Sequence, residues 1–270
     1  TPTLYRATRF SPKGAANFDL GTLGGVTSYA SCINAAGTIV GSAQTSDGAV
    51  RATRFSGTGS GNIDLGTLGG VTSRATCIND SGIIVGTADT ADFKSHATRW
   101  DNDVPRDLGT LGGKNSTATS INVGGDIVGH ADTPRGSRAF IIRGFGKMID
   151  LNTQISPGSN VILVSARDIN RSGQILATGI DRGQASSFLL TPKPSIDIAA
   201  SSSPANRGYA AGFGKYAKGD TVKLTAFARP GWTFNNWTEG KKIVSKKKTY
   251  SFPASKSRKL TANFKPAGKA

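Results

Sequence analysis

The sequence predicts an all-β chain in two parts, a small β-propeller of four-stranded units and then a smaller, separate β module. Three observations predict it. First, the phrase Asp-Leu-Gly-Thr-Leu-Gly-Gly stands at 19–25, 64–70 and 107–113, with a degenerate copy at Asp150-Leu151-Asn152-Thr153. The starting aspartates are 45, 43 and 43 residues apart, a period that marks one supersecondary unit used repeatedly. Second, no stretch before residue 190 holds a convincing helical period. Third, most of the net charge of +16 falls in the last 78 of the 270 residues.

Each unit reads as four strands. Strand a is Ser-x-Ala-x-x-Ile-Asn and ends in Cys32-Ile33-Asn34, Cys77-Ile78-Asn79, Ser120-Ile121-Asn122 and Asp168-Ile169-Asn170. Strand b is Ile-Val-Gly-x-Ala, beginning at Ile39, Ile84 and Ile127, and weaker at Ile175. Strand c is Ala-Thr-Arg-Phe at 7–10 and 52–55, which becomes Ala97-Thr98-Arg99-Trp100 and then two looser copies, at 137–141 and 186–190. Strand d is Ile-Asp-Leu-Gly and leads into the signature. All four are short, rich in Ile, Val, Thr and Phe, and punctuated by Gly, Asn and Asp. Between a and b, Ile-Asn-x-x-Gly-x-Ile-Val is a hairpin signal: Asn supports a side-chain turn and Gly supplies positive φ. Four strands in about 40–45 residues is the size of a propeller blade.

Strands a, b and d occur four times and c five times. The chain opens on c and d and the repeats end on a, b and c, so the front half-unit is expected to complete the last blade and close a ring without a free edge. The arithmetic favours four blades with one c strand in excess. Five blades, an open β solenoid and a piece of a longer array stay open.

The three phrases in order, over roughly 4–190, resemble the HAF repeat, a bacterial family described as extracellular. The resemblance implies secretion or surface display and no established activity. The copy at 148–190 loses Gly-Thr-Leu-Gly-Gly and Val-Gly, which suits a terminal, ring-closing or capping unit.

Composition changes after Thr191-Pro192-Lys193-Pro194, a Pro-rich linker signal. The expected organisation is a repeat domain over 1–191, a linker at 192–196 and a basic module over 197–270. From 193 onward stand 16 Lys and Arg against Asp197, Asp220 and Glu239. Such asymmetry speaks of partners, not of fold. Val222, Leu224 and Ala226, and again Leu260, Ala262 and Phe264, alternate with other residues as in half-buried strands. With Gly212-Phe213-Gly214-Lys215-Tyr216, Pro230-Gly231-Trp232 and Trp237, the pattern at about 195–266 resembles the divergent internalin B-repeat domain. That resemblance implies a small β-grasp-like, all-β or mostly β module of bacterial surface proteins.

The sharpest functional feature is the basic set Lys241, Lys242, Lys246, Lys247, Lys248, Lys256, Arg258 and Lys259. Three consecutive lysines do not share one strand face, so 246–248 reads as a loop or bulge. The set can hold phosphates or sulfates of an anionic surface polymer, an acidic glycan or DNA, with strong salt dependence. The plainer reading is a solubilising, edge-protecting lysine set. Trp232 can stack on sugars or bases, or fill the core with Trp237.

Other chemistry is sparse. Cys32 and Cys77 are either two small buried thiols or a bridge, which needs Cα atoms within about 7 Å; strands of adjacent blades usually diverge beyond that, though a narrow four-bladed ring could bring them close. With only His96 and His130, no zinc or haem site is expected. Asp19, Asp64, Asp107 and Asp150 recur in every unit and read as backbone caps. Asp47, Asp92, Asp132 and Asp181 read as turn formers, with Ca²⁺ as the weaker alternative. No nucleophile elbow or phosphate loop occurs. No apolar run approaches the length of a membrane span. The start inside a strand phrase without Met fits a processed mature protein. Three functions follow as expectations: a non-enzymatic surface protein for binding or adhesion, a self-assembling structural subunit of a surface layer or fibre, and a polysaccharide-active propeller enzyme.

Overall fold

In the computed structural model the strand phrases of the repeats all form strands. It describes residues 5–10, 17–193 and 195–267; Pro194 of the expected linker and 268–270 of the expected module lie outside the described residues. The chain divides into two units, Thr1–Thr191 and Pro192–Ala270, each taken by itself.

In the first unit β1 (Thr8–Arg9) and β2 (Phe18–Asp19) pair with each other. Next come β3 (Gly24–Ile33), β4 (Ile39–Thr45), β5 (Val50–Phe55) and β6 (Ile63–Asp64), an antiparallel meander in chain order. The second meander is β7 (Gly69–Ile78), β8 (Ile84–Thr90), β9 (Ser95–Asp101) and β10 (Val104–Asp107). The third is β11 (Ser116–Ile121), β12 (Ile127–Thr133), β13 (Gly136–Ile142) and β14 (Ile149–Asp150). The last sheet has three strands, β15 (Val161–Ile169), β16 (Ile175–Asp181) and β17 (Gln184–Leu190).

The a strands β3, β7, β11 and β15 each break register near their middle, as between Ala30 and Cys32 or between Ala75 and Cys77. Such bulges bend a strand and raise its twist. They bring an a-strand carbonyl hard against the glycine of Ile-Val-Gly. A Cβ on Gly41 would stand 1.9 Å from the Tyr29 oxygen, one on Gly86 2.0 Å from that of Arg74, and one on Gly129 1.9 Å from that of Thr117. The repeated glycine is therefore a steric requirement. In the divergent last unit Ala177 takes this position, and the close approach moves to Gly179, 2.0 Å from the Ile162 oxygen.

Apolar side chains gather between successive sheets. Val40, Ala52 and Leu65 of the first meander pack with Ile78, Ile84 and Trp100 of the second. Val85 and Ala97 pack with Ile121, Ile127 and Phe140, and Val128 and Ile141 with Leu163, Ile169 and Ile175. Between the sheets an asparagine ladder runs in one direction. Asn34 Nδ2 donates to Asn79 O at 3.2 Å, Asn79 Nδ2 to Asn122 O at 3.1 Å, and Asn122 Nδ2 to Asn170 O at 3.4 Å.

The expected ring closure differs. Among the described residues no sheet closes a barrel or propeller, and β1 and β2 do not complete the last sheet. The reason lies in their packing. Ala7 and Leu20 bury against Ala43 and Phe55 of the first meander, and Ala7 N donates to Ser28 Oγ at 3.1 Å. This repeats the way β5 joins the second meander, where Ala52 N donates to Ser73 Oγ at 2.9 Å. With β17 as the c strand of the last sheet, β1 is a fifth c strand without a and b strands of its own.

The second unit is all β. A five-stranded sheet runs β20 (Gly214–Ala217), β18 (Ser195–Ser203), β25 (Arg258–Pro266), β22 (Trp232–Glu239) and β23 (Lys242–Ser245). A three-stranded sheet runs β19 (Gly208–Ala211), β21 (Thr221–Ala228) and β24 (Thr249–Pro253). The first and last strands of the unit, β18 and β25, pair in parallel within the five-stranded sheet, Ile198 opposite Arg258 through Ser203 opposite Asn263. Val222, Leu224 and Ala226 meet Leu260, Ala262 and Phe264 in one core around the fully buried Trp237.

Candidate functional site

The recurring signature is a joint. Asp19 Oδ1 accepts from Gly21 N at 2.8 Å, Asp64 from Gly66 N at 2.8 Å, Asp107 from Gly109 N at 2.7 Å and Asp150 from Asn152 N at 2.8 Å. Leu20 and Leu65 are buried in successive joints. Thr22, Thr67 and Thr110 hydroxyls donate to the oxygens of Gly25, Gly70 and Gly113. Asp19 also holds Arg6, Nη2 to Oδ2 at 2.7 Å, and this bond first, then the Gly21 amide, keeps its carboxyl below the ordinary range. In the third copy His96 replaces that arginine, its Nδ1 2.9 Å from Asp107 Oδ2. The four aspartates are thus occupied by turns and strand partners, as a scaffold requires.

The loop acids are dispersed. Asp47 accepts from the Thr45 hydroxyl, and Asp92 from Thr90 Oγ1 at 2.5 Å and from Lys94 Nζ. Asp132 Oδ2 accepts from Asn115 Nδ2 at 3.0 Å. Asp181 ends β16 opposite Gln184. Among the described residues no three His, Cys, Asp or Glu side chains gather as a metal site. A hollow of about 460 Å³ lies among Arg99, Arg106, Asp107, Phe145 and Lys147. Arg99 stacks on Phe145 at 4.2 Å and bonds Asp101 at 2.7 Å, so this wall cation is already engaged.

In the second unit the basic residues fall into two groups. Lys241 and Lys242 sit at the β22–β23 turn, Lys256 precedes β25, and Arg258 and Lys259 open it. The antiparallel β22–β25 register brings these segments to one end of the sheet, around Glu239. The Glu239 carboxyl is held below its ordinary value first by hydrogen bonds from Arg258, and also by the charges of Lys256 and Lys242. The connection 246–248 joins β23 to β24. It begins one β23 length away, about 10 Å at the usual strand rise. All seven lysines are exposed. Arg258 is different: its Nη2 lies 2.8 Å from Glu239 Oε2, its guanidinium stacks 4.4 Å over Phe252, and only 13% of its side chain is exposed. It is a core-edge cation that neutralises Glu239.

Trp232 is half-buried against the core and carries Arg207 on its ring at 5.0 Å. Trp237 lies in the core and donates from Nε1 to Lys248 O at 3.4 Å. An aromatic pair escapes sequence reasoning. Tyr209 and Phe227, opposite each other on β19 and β21, stack at 4.9 Å, and Lys248 Nζ lies 5.5 Å from the Phe227 ring. The signal was the out-facing place of Phe227 in Val222-Lys223-Leu224-Thr225-Ala226-Phe227, which only the register joins to Tyr209.

Cys32 and Cys77 come together, their sulfurs 3.0 Å apart and both side chains half-buried. The bulged a strands of the first two meanders converge there rather than diverge.

Residues 198–268 match the divergent InlB B-repeat domain family. Domains of that family are typically extracellular or surface-associated, and the match points to a bacterial surface repeat protein. No curated protein matches the chain. Among the described residues no helix is long and apolar enough to cross a membrane.

Proposed function

We propose that this chain is a non-enzymatic, extracellular or cell-surface bacterial protein for binding or adhesion, whose second unit contacts polyanions. The observation that carries the reading is the convergence of exposed Lys241, Lys242, Lys256 and Lys259 at one sheet end where Glu239 is already neutralised by Arg258. With 246–248 beyond β23, they suit a polymer carrying repeated phosphate or sulfate groups, such as a cell-wall polymer, an acidic glycan or DNA. The first unit, in this reading a small propeller of HAF repeats, is the scaffold; its aspartates are taken up by turns, which supports a role without catalysis. The test is binding of the full chain to a sulfated glycan, a teichoic acid and duplex DNA over a salt series. Changing Lys241, Lys242, Lys256 and Lys259 to Ala should weaken binding and flatten the salt slope by about 0.9 per lost phosphate contact on DNA. Equal binding by wild type and variant overturns the reading.

One observation favours a second reading, a self-assembling structural subunit. Ile78, Ile121 and Ile169 are each 5% exposed, but their equivalent at the front, Ile33, is 62% exposed. Val40, Val85 and Val128 are fully buried, whereas Leu176 in the last sheet is 48% exposed. Exposed apolar end faces of this kind suit cover by another copy. Light scattering that shows a concentration-independent monomer excludes the second reading.

A further inference from the structure

Four equivalent positions follow the bulge of the a strands: Cys32, Cys77, Ser120 and Asp168. They meet in pairs across sheet joints. Between the third meander and the last sheet, Ser120 Oγ donates to Asp168 Oδ1 at 2.7 Å. Between the first two meanders the same place holds two sulfurs, 3.0 Å apart, about one ångström beyond the ~2.0 Å of an S–S bond. The two sheets share no strand ladder. Besides Val40, Leu65, Ile78 and their apolar neighbours, the joint is held by Asn34 on Asn79 O, by Ala35 N on Asp80 Oδ1 at 2.9 Å, by Ala52 N on Ser73 Oγ at 2.9 Å, and by the Arg54–Asp103 ion pair at 2.6 Å.

We infer that Cys32 and Cys77 are a dithiol that closes to an intramolecular disulfide, stapling the first four-stranded sheet to the second. The chain has two cysteines, so no rival pairing exists within it. Both are half-buried, so a small reagent can reach them while they stay fixed to their strands. Ile78 N donates to Cys32 Sγ at 3.3 Å, a contact that favours the thiolate there. The Cys32 thiol is lowered to about 6, first by the hydrogen bond with Cys77 and further by backbone amides. The Cys77 thiol is pushed up by the same bond and by burial. One sulfur is thus a ready nucleophile and the other keeps the proton.

The oxidant is a low-molecular-weight disulfide, RSSR. The Cys32 thiolate attacks one of its sulfurs, the RS–SR bond breaks, and RS⁻ leaves with the electron pair and takes up the Cys32 proton from solvent. Cys77, on losing its proton, attacks Cys32 Sγ of the mixed disulfide. The protein S–S bond forms, the second RS⁻ leaves, and it takes that proton as RSH. Two thiols are oxidised and one disulfide is reduced to two thiols. Outside the cell such a bridge persists, whereas a reducing cytosol keeps it open.

The test uses the full chain, reduced or treated with oxidised glutathione. The expected results are loss of both titratable thiols, an intact mass lower by two hydrogens, and a peptide joining the two cysteine segments. Thermal unfolding should then come several degrees higher than in the reduced protein. The variant with Cys32→Ser and Cys77→Ser should unfold where the reduced protein does and ignore the oxidant, which keeps the test valid even if the bridge proves needed for folding in cells. Two stable glutathione adducts, two thiols that survive oxidation, or bridged dimers overturn the inference.

Discussion

Replacing Gly41 by Ala should destabilise the first unit far more than its chemistry suggests. A Cβ there would lie 1.9 Å from Tyr29 O, and real contacts of this kind essentially never fall under 3.0 Å, so the gap must open by at least 1.1 Å. Neither side yields easily. Gly41 sits in the middle of β4, opposite Ala30 on one side and Thr53 on the other. Overpacking a rigid interior costs about 1–3 kcal/mol, and backbone against backbone belongs at the upper end, about 3 kcal/mol. For a unit of this size that lowers the melting temperature by roughly 6–12 °C. The control is Gly37→Asn. Gly37 has φ of +80° and nothing within 4 Å of its virtual Cβ, and Asn tolerates the left-handed region, so the loss should stay below about 1 kcal/mol. Urea and thermal melts of the full chain, followed by circular dichroism, measure both. Should Gly41→Ala melt with the control, the steric account of Ile-Val-Gly is wrong. Gly179→Ala should behave like Gly41→Ala, because the contact has moved there in the last unit.

Three further outcomes are expected. Asn79→Ala removes the donation to Asn122 O and the acceptance from Ser81 N and Ile83 N. It should cost about 2–3 kcal/mol by denaturant melts, whereas Asn170→Ala, at the exposed end of the ladder, should cost clearly less. Burial, and then the Arg167 charge, hold His130 below its ordinary 6.5. The folded protein therefore binds fewer protons than the unfolded chain once pH drops below 6.5, so stability is lost from there down to the folded value; melts of His130→Gln should be flatter over that window. Glu239→Gln should lower stability by no more than about 1 kcal/mol, since the pair is partly exposed, while polyanion binding tightens because one negative charge leaves the cluster.

Much of the scaffold is legible in the sequence, because each signature residue acts within its own few neighbours. Asp reaches the amide two residues on, and Thr22 reaches Gly25. The period of the phrases likewise carries the strand order of each meander. Contacts between units are different in kind. Asn34 looks like a turn residue, and its turn role hides the donation to Asn79 O, 45 residues away. Counting strands suggests a shared blade, but the burial of Ala7 and Leu20 on the first meander decides where β1 and β2 go. The sequence leaves open whether Cys32 and Cys77 meet, and the bulged strands on which both lie bring the sulfurs together. At the basic end, charge counting treats Arg258 like its lysine neighbours. The fold spends that guanidinium on Glu239 and Phe252.

The parallel pairing of β18 with β25 has a mechanical side. Because the two strands run the same way, the second unit is entered at one end of the pair and left at the other. Tension applied through its ends therefore loads the hydrogen bonds from Ile198–Arg258 to Ser203–Asn263 together, in shear. An antiparallel pair pulled from one end would instead unzip bond by bond. Under such a load the unit would yield only when this short ladder breaks as a block, and Arg258 and Lys259 stand at the end where it begins.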